Sequence, residues 1–252
     1  MPATAVPVAL VTGAGLRVGN HLARALAARG YRVALHAGRS LAAAEATAAE
    51  IRAAGGEALA LAADLRDTDA TARMVTAVRD AFGRLDALVN NASVWQPRPL
   101  EEVSADDVRQ HFEVNTLASF ICCQVAGLAM AAQPEGGAIV NVGDWAIARP
   151  YLNYAAYFAS KGAIPALTRS MAVELAARNP RVRVNAVLPG PVLFPHDLTD
   201  IQRAALVEAT LVKRAGTPDD LAHAVLFLIE NTFVTGVCLP VDGGRTIFAA
   251  EL

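Results

Sequence analysis

Short apolar runs alternate with longer amphipathic stretches from one end of the chain to the other. Val8–Val11, Arg32–His36, Ala58–Leu61, Asp86–Val89, Ala138–Val142, Val182–Val187 and Gly236–Leu239 are each four to six residues long. Most are nearly unbroken in hydrophobicity, as strands covered on both faces must be. Between them lie segments long enough for helices: 19–29, 41–54, 68–82, 104–130, 157–178 and 218–230. Thr217-Pro218-Asp219-Asp220 offers a hydroxyl N-cap, proline at the first helical position and an acid at the third. Ser104-Ala105-Asp106-Asp107 repeats the cap-and-acid spacing, and Gly30, Gly55 and Gly83 stand where helices should stop. Unbroken strand–helix repetition predicts a doubly wound α/β fold: one parallel sheet of about seven strands with helices on both faces. The Pro/Gly clusters at 96–99, 134–137 and 189–195 are too short for interdomain linkers, so residues 1–252 read as a single domain. The last cluster opens a substrate loop near 190–212, with a short helical stretch near 199–210.

Composition narrows the partners. The chain has 252 residues, 54% hydrophobic and 18% charged, with Lys+Arg 22 against Asp+Glu 24 and a net charge of -2. No block of like charge occurs, which argues against nucleic acid and against a polybasic membrane surface. Cys122 and Cys123 are adjacent and Cys238 is remote, a usage that fits a reducing compartment. The first Arg is Arg17, so no basic leader precedes the first apolar run. No apolar stretch of 18 or more residues is evident, and a cytoplasmic protein without a membrane span is expected. His111, His196 and His223 are scattered, and no metal site is expected.

Three clusters carry candidate chemistry. Thr12-Gly13-Ala14-Gly15-Leu16-Arg17-Val18-Gly19 joins the first strand to the first helix. Glycines there admit positive φ and let backbone N–H groups approach a pyrophosphate at the helix N-terminus. The second strand ends in His36-Ala37-Gly38-Arg39-Ser40, with no carboxylate for a ribose 2′-hydroxyl. Arg39 and Ser40 are assigned instead to a 2′-phosphate, with His36 beside them as a cofactor-binding residue, predicting NADPH as the cofactor. Tyr157 and Lys161 are four residues apart, on one helix face. An ammonium so close is expected to lower the tyrosine's pKa and make it a proton donor and acceptor near neutrality.

With these residues the chain resembles the short-chain dehydrogenase/reductase family, over nearly its whole length. Thr12–Gly19 is similar to the family's glycine motif, Asp64-Leu65 to its adenine-contacting pair, and Asn90-Asn91-Ala92 to its N-N-A segment. Asn115 matches its helix asparagine, Tyr157 and Lys161 its catalytic pair, and Asn185 with Pro189-Gly190 its segment after the sixth strand. The resemblance implies a Rossmann-type fold and hydride transfer with an NAD(P)(H) cofactor. It implies Tyr157 as proton donor, Lys161 on the nicotinamide ribose, Asn115 ordering a water relay, and a homotetramer or homodimer.

Departures from the family pattern bear on the substrate. Thirteen residues before the tyrosine, where the family usually has serine, stands Asp144. Arg17 replaces a glycine of the phosphate loop. Together with His36, Arg39-Ser40 and Asn91-Ala92-Ser93, these changes resemble the pteridine reductase and dihydromonapterin reductase branch. That resemblance implies Arg17, Ser93, Asp144 and Tyr157 meeting a pterin-like ring and Trp95 stacking on it, whereas Phe194-Pro195-His196 departs from the branch and is expected to give the substrate site a different rim. A carboxylate accepts from ring N–H and amino groups that a ketone lacks. The expected activity is NADPH-dependent reduction of a pterin-like heterocycle. A generic carbonyl or 3-oxoacyl reductase is the alternative, and a non-catalytic NADP-binding sensor the alternative of another class. Arg149 is read as facing either the site entrance or solvent.

Overall fold

The computed structural model describes residues 6–194 and 198–248. Seven strands form one sheet: β1 (Val8–Val11), β2 (Arg32–Ala37), β3 (Ala58–Ala62), β4 (Ala87–Asn90), β5 (Gly137–Val142), β6 (Val182–Pro189) and β7 (Cys238–Val241). All pairs are parallel, in the order β3-β2-β1-β4-β5-β6-β7. The chain winds outward from β1 to β3, then returns to the other side of β1. That reversal opens a crevice between the carboxyl ends of β1 and β4, the place where open α/β sheets hold ligands.

The strands' alternation sorts the core into two layers. Ala9 and Val11 of β1 face a cluster with Leu22, Leu26, Ala48, Leu221 and Val225. These come from α1 (Arg17–Ala28), α2 (Leu41–Ala53) and α9 (Pro218–Glu230). Val8 and Leu10 face the opposite cluster, with Met74, Val78, Cys122, Met130, Ile164 and Leu175. Those belong to α3 (Thr68–Phe82), α5 (Ala118–Ala131) and α7 (Ile164–Ala176). The remaining helices are α4 (Ala105–Phe112), α6 (Ala155–Gly162) and α8 (Asp200–Glu208).

Two long helices expected from the sequence are interrupted. The stretch 104–130 passes through a π-helical turn at Glu113–Leu117, which separates α4 from α5 and carries Asn115. The stretch 157–178 divides at Ala163, because Pro165 has no N–H for a continuous helical ladder and takes a first-turn position of α7. The expectation that no segment is long and apolar enough for a membrane also needs correction. Ala105–Ala131, taken as one helix, contains such a window, with mean hydropathy 1.6. Ala118, Cys122, Cys123, Ala126 and Met130 of that helix are buried in the protein's own core. Leu117, Phe120 and Leu128 on its other face are exposed.

Candidate active site

The glycine loop is stitched to the end of β4. Gly13 has φ +65, and a Cβ there would stand 2.8 Å from Ala92 Cα, so only glycine lets the two segments meet. Thr12 Oγ1 accepts from the amides of Asn91 (3.0 Å) and Ala92 (3.1 Å). Asn91 Nδ2 returns bonds to the carbonyls of Thr12 (3.0 Å) and Gly13 (3.1 Å). Gly19 packs the first turn of α1 onto the Gly13 carbonyl, and Gly15 abuts Ser40 Oγ. Side chains cap α3, α4, α8 and α9, but no side chain caps α1. Its first-turn amides point into the crevice end with no such partner, which suits an anion.

A cleft of about 880 Å³ runs along this seam, lined by Gly13, Arg17, Val18, Gly19, His36, Arg39, Asp64, Leu65, Asn91, Ala92 and Ser93, among others. His36 requires a change from the sequence reading. It is buried, its Nδ1 accepts from Gly13 N–H (3.2 Å), and its Nε2 pairs with the Ala63 carbonyl (3.1 Å). Gly13 can only donate, so Nε2 carries the proton, and burial pushes the ring's pKa down. His36 is a neutral strut under the phosphate loop, with no free donor for a phosphate. Arg39 is exposed at the cleft, and Arg66, which sequence reasoning missed, lines it too. Arg66 Nη2 pairs with Asp64 Oδ2 at 2.5 Å. Hydrogen bonds from Arg66 hold the Asp64 carboxyl near a pKa of about 2, with the Arg39 charge adding.

Beyond Ser93 a chain of hydrogen bonds reaches the candidate catalytic residues. Ser93 Oγ and Val94 N–H donate to Asn115 Oδ1, at 3.0 and 2.8 Å. Asn115 Nδ2 donates to Ser160 Oγ (2.9 Å), which donates to the Tyr157 carbonyl (2.7 Å). Asn115 Nδ2 also bonds the Val94 carbonyl at 3.1 Å, so its side chain is committed to protein groups that fix this corner. Tyr157 Oη donates to Asp144 Oδ2 at 2.7 Å, while Asp144 Oδ1 accepts from Ala146 N–H at 2.8 Å. Lys161 is buried, with Nζ donating to the Val142 carbonyl at 2.7 Å.

The electrostatics reverse one expectation. The Tyr157 phenol is pushed well above its ordinary value, first by burial and then by the Asp144 charge and hydrogen bond. Lys161 does not pull it toward phenolate. Burial lowers Lys161 itself to about 8, with Asp144 opposing that shift. Tyr157 is thus a protonated donor held by a carboxylate.

Trp95 stacks on Tyr154, with centroids 4.9 Å apart and planes 14° from parallel. One indole face is therefore engaged by the protein. Tyr151 and Phe158 meet edge to face at 4.9 Å, and Tyr154 lies between them and Trp95. Sequence reasoning missed Tyr151 and Tyr154, though their proximity to Tyr157 in the chain is a signal. Arg17 adopts a left-handed φ of 53, the conformation its replaced glycine takes without cost. Its Nη2 reaches the Leu193 carbonyl at 3.3 Å, tying the phosphate loop to the loop after β6. Phe194 follows in that loop, half-buried, whereas Pro195 and His196 lie outside the described residues. Gly190 N–H bonds the Val241 carbonyl at 2.9 Å, which places Pro189-Gly190 against the end of β7. Arg149 is exposed, as one of its two expected settings had it, and its Nη1 binds the carbonyls of Arg245 (3.1 Å) and Phe248.

A family model described as short chain dehydrogenase matches residues 7–204. An uncharacterized oxidoreductase of Methylorubrum extorquens is 37% identical over 244 residues, spanning 94% of this chain and 96% of its own. The 3-oxoacyl-[acyl-carrier-protein] reductase of Synechocystis sp. is 33% identical over 252 residues, spanning 98% and 100%. A blue fluorescent protein from a metagenomic library, solved in complex with NADPH, is similar with a TM-score of 0.86 and 34% identity. That similarity covers 95% of this chain and 97% of the other.

Proposed function

The chain belongs to the short-chain dehydrogenase/reductase family and is an NAD(P)-dependent oxidoreductase; from that premise we propose that it uses NADPH to reduce a pterin-like heterocycle. The observation that carries the reading is the 2.7 Å bond from Tyr157 Oη to Asp144 Oδ2. The residue beside the proton donor is an acceptor, suited to a substrate that itself bears N–H groups.

The residues present fit the cofactor. The uncapped N-terminus of α1 and the loop through Gly13 and Gly19 would hold its pyrophosphate. Arg39, Ser40 and Arg66 would meet the 2′-phosphate, and Asp64 with Leu65 the adenine. Lys161 keeps two ammonium protons beyond the one on Val142, enough for ribose hydroxyls. When bound, the reduced nicotinamide supplies hydride. Tyr157 supplies the proton: as a ring N–H takes its place on Asp144, the phenol turns to the substrate's acceptor nitrogen. Trp95, backed by Tyr154, offers an aromatic wall to a flat ring, at roughly 0.5–1.5 kcal/mol beyond burial.

A second reading, 3-oxoacyl reduction, is favoured by the Synechocystis relative. One substitution separates the two. Asp144→Ser restores a hydroxyl donor for a ketone but removes the acceptor for ring N–H groups. Steady-state NADPH oxidation should show dihydrobiopterin turnover falling roughly five- to a hundred-and-fifty-fold, the cost of a buried unpaired donor. Rising acetoacetyl-thioester reduction with unchanged dihydrobiopterin turnover would establish the second reading instead. The free thiols Cys122, Cys123 and Cys238 support a cytoplasmic location, because unpaired cysteines fit a reducing compartment. Exposed Phe112, Leu117, Phe120, Leu128 and Val173 support a homotetramer or homodimer.

A further inference from the structure

Four arginines are withdrawn from solvent among the described residues: Arg32, Arg84, Arg183 and Arg245. Three have acceptors for their guanidinium protons. Arg32 donates to the carbonyls of Val6 and Phe82, Arg84 to the Asp86 carboxylate, and Arg183 to the carbonyls of Leu228, Ile229 and Val234. The Arg245 side chain has neither a hydrogen-bond acceptor nor an ion-pair partner among the described residues. Its guanidinium lies instead over Trp145, 4.4 Å from the ring centroid. A stacked guanidinium keeps its edge, with five donors, available to an oxyanion.

The surrounding chain fixes Arg245 in place. Asp242 is buried and accepts from the amides of Gly244 (2.9 Å) and Thr246 (2.6 Å), folding the strap after β7 back on itself. Gly243 and Gly244 both have positive φ, which this turn requires. Arg149 clasps the same strap from the other side through the carbonyl of Arg245. Trp145 directly follows Asp144, so the cation stands beside the proton-transfer pair. The carboxylates of Asp242 and Asp144 act on it from a distance, and the Arg149 charge opposes them. A guanidinium that is half-buried, positioned and unpaired is costly to keep unless an anion comes to it.

We propose that Arg245 is a specificity-determining residue that binds an oxyanion, carboxylate or phosphate, on the part of the substrate beyond the reduced group. The assignment rests on the oxidoreductase reading of the same site and holds for either substrate class. For a pterin the oxyanion is the carboxylate of an acidic tail, and for a 3-oxoacyl thioester it is a phosphate of the carrier.

Matched pairs test it. Dihydrofolate and dihydrobiopterin share the reacting ring, and only the first has carboxylates. Acetoacetyl-coenzyme A and acetoacetyl-N-acetylcysteamine share the ketone, and only the first has phosphates. In Arg245→Gln, the ratio of kcat/KM for the charged over the neutral member should fall about tenfold or more, through KM. Arg245→Lys should recover part of that ratio. The pair that responds identifies the source of the oxyanion. Calorimetric titration of all four compounds into the NADP-loaded protein reads the same preference without turnover. Charge preference in binding that is lost in Arg245→Gln supports the assignment even where no pterin is reduced, an outcome that sinks only the pterin reading. An equal fall for both members, or an unchanged ratio, overturns the assignment and leaves Arg245 a support for Trp145.

Discussion

The two ends of the crevice are built differently. At the nucleotide end, short side chains lace two stretches of backbone together: Gly13 lies against Ala92, and the side chains of Thr12 and Asn91 each bond the other's main chain. Charges there are exposed: Arg66 is balanced by Asp64, and Arg39 is left for a phosphate. At the substrate end, long side chains converge from distant segments, and charge is buried or half-buried. Asp144 holds Tyr157, Lys161 is submerged, Trp95 leans on Tyr154, and Arg17 crosses to Leu193. The first arrangement recognises a constant ligand through shape that few substitutions can alter without collision. The second leaves chemistry and specificity to individual side chains, which can change without disturbing the sheet.

The sharpest break in that contrast is Tyr157→Phe, which removes the proton donor and keeps the ring. Turnover should fall about 10²–10⁴-fold, while NADPH affinity measured by fluorescence titration changes little. A comparable loss of NADPH affinity would mean that the two ends are not separable. At the nucleotide end, Arg39→Asp should weaken NADPH binding about tenfold or more and leave NADH binding the tighter of the two. Equal affinities of the wild type for both nucleotides would count against a 2′-phosphate site.

Lys161 gives the contrast a pH signature. Its pKa is lowered by burial from 10.5 to about 8, so the unfolded chain binds more protons between these values. Stability must therefore rise as pH climbs through about 8 toward 10, by up to about 3 kcal/mol, as the buried ammonium is lost. Activity should fall over the same window, because the ammonium that would hold the nicotinamide ribose loses its charge. Urea unfolding and kcat/KM profiles at several pH values check both, and Lys161→Met should flatten the stability curve. The smallest effect is expected at Arg17. Arg17→Gly relieves the left-handed φ of 53 but adds chain entropy to the unfolded state, so net stability should shift by less than about 1 kcal/mol. Its signature should be a higher KM for substrate as the tie to Leu193 is lost.

What the sequence revealed follows the same division. Features written in consecutive residues were legible: the glycine loop, the cap of α9, the Tyr157–Lys161 spacing and the parallel sheet. Strand ends shifted slightly. Asp86, for example, leaves β4 because its carboxylate accepts from Val8 N–H at 2.8 Å and pairs with Arg84. The helix break before Pro165 was present in the sequence as a proline, but the π-helical turn around Asn115 has no such marker. His36 looked like a ligand because polarity at a strand end is visible, whereas its burial against Gly13 and Ala63 is not. The Tyr157 pKa went the wrong way for a related reason. Spacing disclosed the lysine one helical turn away, but only the folded chain shows the Asp144 carboxylate on the hydroxyl. Arg66 and Arg245 gained meaning only from the company the fold gives them.

The hydroxyl of Thr12 holds amides that lie 79 and 80 positions further along the chain. During synthesis, β1 through β3 emerge complete with the glycine loop, yet the opposing wall of the crevice has not been made. Closing so long a loop is slow, because its entropy is lost before the contacts that repay it exist. Nucleotide affinity is therefore acquired only once β4 has joined β1. The dinucleotide can then stabilise the native state by mass action, but it cannot serve as the template on which the first half of the sheet is formed.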